Sequence, residues 1–444
     1  MGHVGGLVGP RRTAMRPRPR HWAAVLAVVV ALGCLVALLH TGTGGGQPAW
    51  PPGTSDLTPD WGFTHTQYSA DDGDASAEAA VRREVGAVPP AQDQALMGWG
   101  ADNPEPSPGV YDFSRLDARI ALITGSGGRP VITLCCAPDW MKGGQAGRTD
   151  WNQLETAPSP AHFADFAALA ATVARRYPQV HDFLVWNEFK GFFDNTTGGW
   201  DAASYTALYN DVYRALKAVR PDILVGGPYL PVDSYPTGTA TYPSTVSGPW
   251  GTVDERAVDA FRYWLAHNAG ADFVVVDGSS LPKDGGSGVD AFAATAKFSA
   301  VTRWVHSLTP LPVWWSEWYV EPPDSGWTEP HRDAVLAAGM MALAQGGVAA
   351  AFYWNPETPS GPCPGCLWDR SGQALPPLTL LQGFARWFPP RTQAVPLATG
   401  NPDVLALAQP AEGVAVNTAD RPVSVVLDGR TRTLGPYQVL WFSR

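Results

Sequence analysis

The chain has 444 residues, 45% of them hydrophobic and 16% charged, which is ample for a large packed core. A net charge of -10, with no basic stripe beyond the first twenty residues, excludes nucleic acid as a partner. At roughly 150 residues per domain the length allows about three domains, but a single barrel can take over 250.

Residues 1–21 are basic, with Arg11, Arg12, Arg16, Arg18 and Arg20 ahead of an unbroken apolar run from Trp22 to Leu39. Positive charges followed by such a run read as a transmembrane signal-anchor or a signal peptide over residues 22–39. No small-x-small cleavage site directly follows Leu39, which favours an uncleaved anchor with its N-terminus in the cytoplasm. The expected location is therefore the cell membrane, single-pass with an extracellular domain, or secretion. Residues 40–59 are rich in Gly, Pro and Thr and read as a linker.

From Asp60 onward strand-like runs alternate with helical patterns. The predicted strands are Trp61–Tyr68, Ala95–Gly100, Pro130–Cys136, Phe183–Glu188, Ile223–Pro228, Phe273–Asp277, Pro312–Tyr319 and Ala349–Trp354. Predicted helices are Phe113–Ile123, Ala161–Tyr177, Ala202–Val219, Glu255–Asn268, Val289–Ser307 and Glu329–Gln345, with apolar residues at helical spacing. Pro178, Pro221, Gly270 and Gly346-Gly347 stop four of them. Eight strands alternating with helices imply a (β/α)8 TIM barrel over residues 60–390. Beyond it, Val404–Ala408, Gly413–Asn417, Pro422–Leu427 and Tyr437–Phe442 have no helices between them. They predict a small C-terminal all-β appendage, β-sandwich-like, over residues 391–444. With no linker before it, the appendage should pack on the barrel, as a structural cap in preference to a carbohydrate-binding module. The four cysteines after the linker, Cys135, Cys136, Cys363 and Cys366, allow disulfides whose pairing is open. No His lies at a spacing that would make them a zinc site.

Two glutamates carry the chemistry. Glu188 closes the apolar run from Phe183, and Glu317 lies in Val313-Trp314-Trp315-Ser316-Glu317-Trp318-Tyr319. Acids at the C-terminal tips of two strands of one barrel lie where such barrels build active sites, and can flank a glycosidic bond. Nineteen Trp fit that reading, since aromatic faces suit the apolar side of a pyranose.

Trp186-Asn187-Glu188 on the fourth strand and Ser316-Glu317-Trp318 on the seventh resemble clan A of the glycoside hydrolases. The likeness is greatest to family 39, the β-xylosidase and α-L-iduronidase group. Tyr111 to Asp117, Ala137 to Met141, Val225-Gly226-Gly227-Pro228 and Trp354 support it, over roughly residues 60–390. The resemblance implies a retaining glycosidase needing no metal or organic cofactor, with Glu188 as acid/base and Glu317 as nucleophile. Glu188 should then be protonated and Glu317 ionised, with the carboxyls about 5–5.5 Å apart. Asn187 is expected to bind the sugar 2-hydroxyl, and Trp354 to be a sugar platform. His65, Trp140, Trp318, Tyr319, Asn355 and Asp277 are further substrate-binding candidates, His65 equally readable as a core histidine; Lys190 follows the acid/base at the mouth.

One departure stands out. Clan A enzymes carry a Tyr or His after strand six that hydrogen-bonds the nucleophile, whereas here the strand reads Val274-Val275-Val276-Asp277-Gly278-Ser279-Ser280. Asp277, a Ser, Tyr319 or another loop would have to fill that place. The expected substrate is β-linked oligo- or polysaccharide, with no obligate protein partner. A cell-surface carbohydrate-binding protein that lost turnover, and a transglycosylase, are the alternatives.

Overall fold

The structure, a computed structural model, describes residues 57–66, 68–71, 74–94, 103–283, 288–320, 326–358 and 360–444. The predicted membrane segment, the linker as far as residue 56 and the predicted strand Ala95–Gly100 lie outside them. Among the described residues no helix is long and apolar enough to cross a membrane.

Eight strands close into a parallel barrel: β1 (Asp60–Thr64), β2 (Ala91–Gln94), β3 (Arg129–Leu134), β4 (Asp182–Val185), β5 (Leu224–Pro231), β6 (Phe273–Ser279), β7 (Val313–Tyr319) and β8 (Ala350–Trp354). Each pairs with its sequence neighbours, and β8 closes on β1 from Asp60↔Ala350 to Thr64↔Trp354. The helices are α1 (Ala75–Gly86), α2 (Ser114–Gly125), α3 (Phe163–Arg176), α4 (Ala202–Val219), α5 (Glu255–His267), α6 (Ala296–Leu308), α7 (Glu329–Gly346) and α8 (Pro376–Trp387). Several start on side-chain caps: Asp74 accepts from Ser76 N, Asp201 from Ser204 N and Asp254 from Arg256 N.

The described part of the second strand is Ala91–Gln94. It pairs with both β1 and β3. Its buried Gln92 is satisfied there by His65 Nε2 at 3.0 Å and the Ser126 hydroxyl at 2.9 Å. Helices α1 and α8 were not read from the sequence, nor was a three-stranded antiparallel sheet (Ser234–Tyr235, Pro243–Gly248, Gly251–Asp254) inserted between β5 and α5.

Two apolar layers form. One, between strands and helices, includes Phe183, Val185, Trp186, Trp315 and Trp318. The other fills the barrel lumen with Val131, Leu184, Phe273, Val275, Trp314 and Phe352, the Phe273 and Trp314 rings stacking at 3.9 Å. The cysteines pair as Cys135–Cys136 and Cys363–Cys366.

The C-terminal strands are β9 (Val404–Ala408), β10 (Glu412–Asn417), β11 (Val423–Leu427), β12 (Arg430–Leu434) and β13 (Val439–Ser443). They bury their own cluster around Val404, Val425, Leu434 and Phe442. Trp441 of β13 meets Phe384 and Trp387 of α8 at 5.2 and 5.5 Å, so the appendage packs on the barrel layer.

Candidate active site

Side-chain alternation is the first determinant of this site. Along β7, Trp314 faces the lumen and Trp315 the helices, so strict alternation would turn Glu317 outward. The ladder to β6 shifts between Val276↔Trp315 and Asp277↔Glu317, leaving Ser316 as an extra residue. This bulge brings Glu317 opposite Asp277, which shares the inward face of Phe273 and Val275. A second bulge on β5, between Val275↔Pro228 and Val276↔Leu230, turns Tyr229 into the lumen with φ 57°. The Tyr229 hydroxyl donates to Glu317 Oε1 at 2.6 Å.

Strand four reaches the same rim by a strained turn. Trp186, Glu188 and Phe189 have φ of 68°, 48° and 55°, in the left-handed region that bulky residues rarely adopt. Such backbone costs on the order of 1–3 kcal/mol per residue and needs surrounding structure to hold it. Here Trp186 Nε1 donates to Lys190 O at 2.7 Å, and Phe189 stacks on Tyr205 at 4.2 Å. The turn leaves the Glu188 side chain 25% exposed.

Electrostatics separates the carboxyls. Burial pulls the Glu188 carboxyl up, but Lys190, a hydrogen bond with Asp277 and the more distant Lys283 outweigh it, so the group titrates below its usual value. Lys190 Nζ lies 2.7 Å from Glu188 Oε2 and 2.9 Å from Glu155 Oε1. Glu317, 7% exposed, is pushed up to about 8 by burial and the Glu188 charge, against the opposing pull of Tyr229 and Lys190. Asp277, 1% exposed, is raised well above the carboxylate range by burial and by Glu188. Two carboxyl groups can hydrogen-bond only if one carries the proton, and burial puts it on Asp277. The resting site thus holds an ionised Glu188 and a neutral Glu317, the reverse of the sequence expectation. The causes are the burial of Glu317, which raises it, and Lys190, whose cation lies against Glu188 and holds that carboxyl down.

The remaining candidates divide. Tyr319 is half-buried near the cluster, its hydroxyl raised by burial and by Asp277 and Glu188. Asn187 is fully buried; its Nδ2 donates to Glu188 Oε2 at 3.3 Å while Oδ1 has no partner among the described residues. Trp354 is half-buried at the tip of β8, and Trp140 is half-buried with Nε1 donating to Glu105 O at 2.9 Å. Three expected contacts are not presented to solvent. His65 is sealed in the core between Ser69 and Gln92. Trp318 packs among Phe298 and Tyr353 on the helix side of β7. Asn355 is buried and accepts from Leu367 N. Their side chains satisfy interior packing or backbone, which sequence position alone does not reveal.

The partner expected on strand six is instead Tyr229 of β5. Its only sequence signal is a Tyr following Gly226-Gly227-Pro228, small residues and a proline that mark irregular strand backbone. Lys283 and Asp233, an ion pair near Glu188, carried no sequence signal.

No protein-family model matches the chain, and no curated protein matches it. Solved structures do. A β-xylosidase of glycoside hydrolase family 39 from Caulobacter crescentus is similar with a TM-score of 0.56 at 18% identity, over 84% of this chain and 80% of that one. A family 39 enzyme from Xanthomonas axonopodis pv. citri gives 0.54 at 19%, over 85% and 77%. A family 30 endoxylanase from Clostridium papyrosolvens gives 0.52 at 13%, over 87% and 96%. The chain shares its (β/α)8-barrel fold with these glycoside hydrolases.

Proposed function

We propose that the chain is a retaining glycoside hydrolase of β-linked oligo- or polysaccharide, with Glu188 as acid/base and Glu317 as nucleophile. The observation that carries this reading is the Tyr229 hydroxyl held 2.6 Å from Glu317 Oε1 by two bulges, in a lumen that Glu188 also charges. A donor on the nucleophile favours its ionised form when the reaction needs it. Loss of turnover was motivated by the empty partner position on strand six, and Tyr229 removes that motive.

The pair carries one proton and one negative charge, the stoichiometry that double displacement requires. The reactive form has the proton on Glu188. Lys190 already has a second anion, Glu155, to hold it when a glycosidic oxygen approaches Glu188. Glu188 then gives its proton to the leaving oxygen as the C1–O bond breaks, and Glu317 forms an ester to C1. In the second step Glu188 takes a proton from water, the hydroxide attacks C1 and Glu317 leaves as carboxylate. Asn187, through its unpartnered Oδ1, would accept from the sugar 2-hydroxyl once substrate uncovers it, and Trp354 would flank the ring.

The basic and apolar N-terminal runs would hold the enzyme at the cell membrane or export it. Assay of the full chain on aryl β-glycosides and β-linked polysaccharides, beside Glu188→Gln and Glu317→Gln, tests the reading. Equal turnover by all three proteins sinks it.

A further inference from the structure

The rim carries a second concavity, lined by neither Glu188 nor Glu317. It encloses about 900 Å³ between the segments that follow β1 and β8 and the start of α7. Glu357 lines it, three residues past Trp354, and is 7% exposed. Its Oε2 accepts from Thr66 N at 2.8 Å and from the Thr66 hydroxyl at 3.0 Å, while the buried Oε1 has no partner among the described residues. Burial, partly offset by Arg119 and Thr66, pushes this carboxyl up to about 7, so near neutrality it can donate as well as accept. Tyr68, 42% exposed, lines the same space, with Trp368, Asp369 and Arg370.

Glu357 thus contributes a buried carboxyl to the polar wall of this cavity, and Tyr68 and Arg370 contribute its exposed groups. An aromatic ring beside planar carboxyl and guanidinium groups matches the alternating C–H faces and hydroxyls of a sugar. Acidic and basic groups face the cavity together, which favours an uncharged ligand over an ion. β8 is the immediate neighbour of β7 in the barrel, so the pocket opens one strand beyond the one that carries Glu317.

We infer that this pocket is a second saccharide-binding site, which takes a neutral stretch of glycan remote from the scissile bond. The inference rests on the glycosidase reading and narrows its substrate to a chain long enough to span both places.

The test uses the full chain carrying Glu317→Gln, titrated calorimetrically with β-1,4-xylohexaose, β-1,4-mannohexaose and their disaccharides. Tyr68→Ala and Arg370→Ala change exposed side chains and leave the fold intact. Together they are expected to weaken binding of at least one hexaose about tenfold without changing its disaccharide. Unchanged hexaose affinity, equal loss for both lengths, or no binding of either hexaose overturns the inference. If the wild-type chain turns over no glycoside yet hexaose binding depends on Tyr68 and Arg370, the glycosidase reading falls and the pocket stands.

Discussion

The tips of strands four and seven present the same functional group in opposite surroundings. Glu188 sits on a strained turn, a quarter exposed, with Lys190 against it and Asp277 as a further hydrogen-bond partner. Glu317 sits on a bulge, almost wholly buried, and meets a phenol rather than a cation. The first environment holds a negative charge and the second expels one, so a single proton resides on Glu317 in the resting protein. In this pair protonation follows the burial of Glu317 and the placement of Lys190 beside Glu188.

Substitutions at the two tips should break the comparison most strongly. Glu317→Gln removes the proposed nucleophile and is expected to lower kcat by roughly 10⁴-fold or more on every substrate. Glu188→Gln should cost roughly 10²–10⁴-fold on polysaccharide, and far less on an aryl glycoside whose leaving group needs no proton. Steady-state kinetics on both substrate types separates the roles. Tyr229→Phe takes away a hydroxyl donor on Glu317 and should lower kcat by about 10–100-fold, in line with a hydrogen bond to a charged group. Its alkaline pH limb should move upward, since the donor lowers the Glu317 carboxyl.

Two smaller effects sharpen the contrast. In the wild type, activity should fall above about 8, where the pair loses its proton. Lys190→Met should raise the Glu188 carboxyl and shift the acid limb of kcat/KM upward. Stability should show the Glu317 environment from the other side. The folded chain holds that proton up to about 8, while an unfolded glutamate releases it near 4.5. The native state then binds more protons between those values, so this group's stabilisation falls as pH rises through them. Urea midpoints at pH 5 and pH 8 should therefore converge in Glu317→Gln relative to wild type.

Much of the barrel was legible because its strands are short, β-branched or aromatic, and separated by helical spacing. The ladder of Ala91–Gln94 was not, because its polar Gln92 is buried through His65 and Ser126, a pairing that no apolar run announces. Glu188 and Glu317 were legible as strand-tip acids. Their orientation was not, because alternation from Trp314 points Glu317 the wrong way and only the bulge at Ser316 reverses it. The same irregularity hides Tyr229 in a Gly-Gly-Pro-Tyr run and puts Trp318 on the helix side of β7. Protonation was misread because Lys190, seen only as a residue at the mouth, sits 2.7 Å from Glu188.

The most direct measurement is covalent trapping. The full chain incubated with an activated 2-deoxy-2-fluoro-β-xyloside, digested and mapped by mass spectrometry, should carry the sugar as an ester on Glu317. A label on Glu188 instead, or undiminished hydrolysis by Glu317→Gln, would contradict the assignment of the two tips.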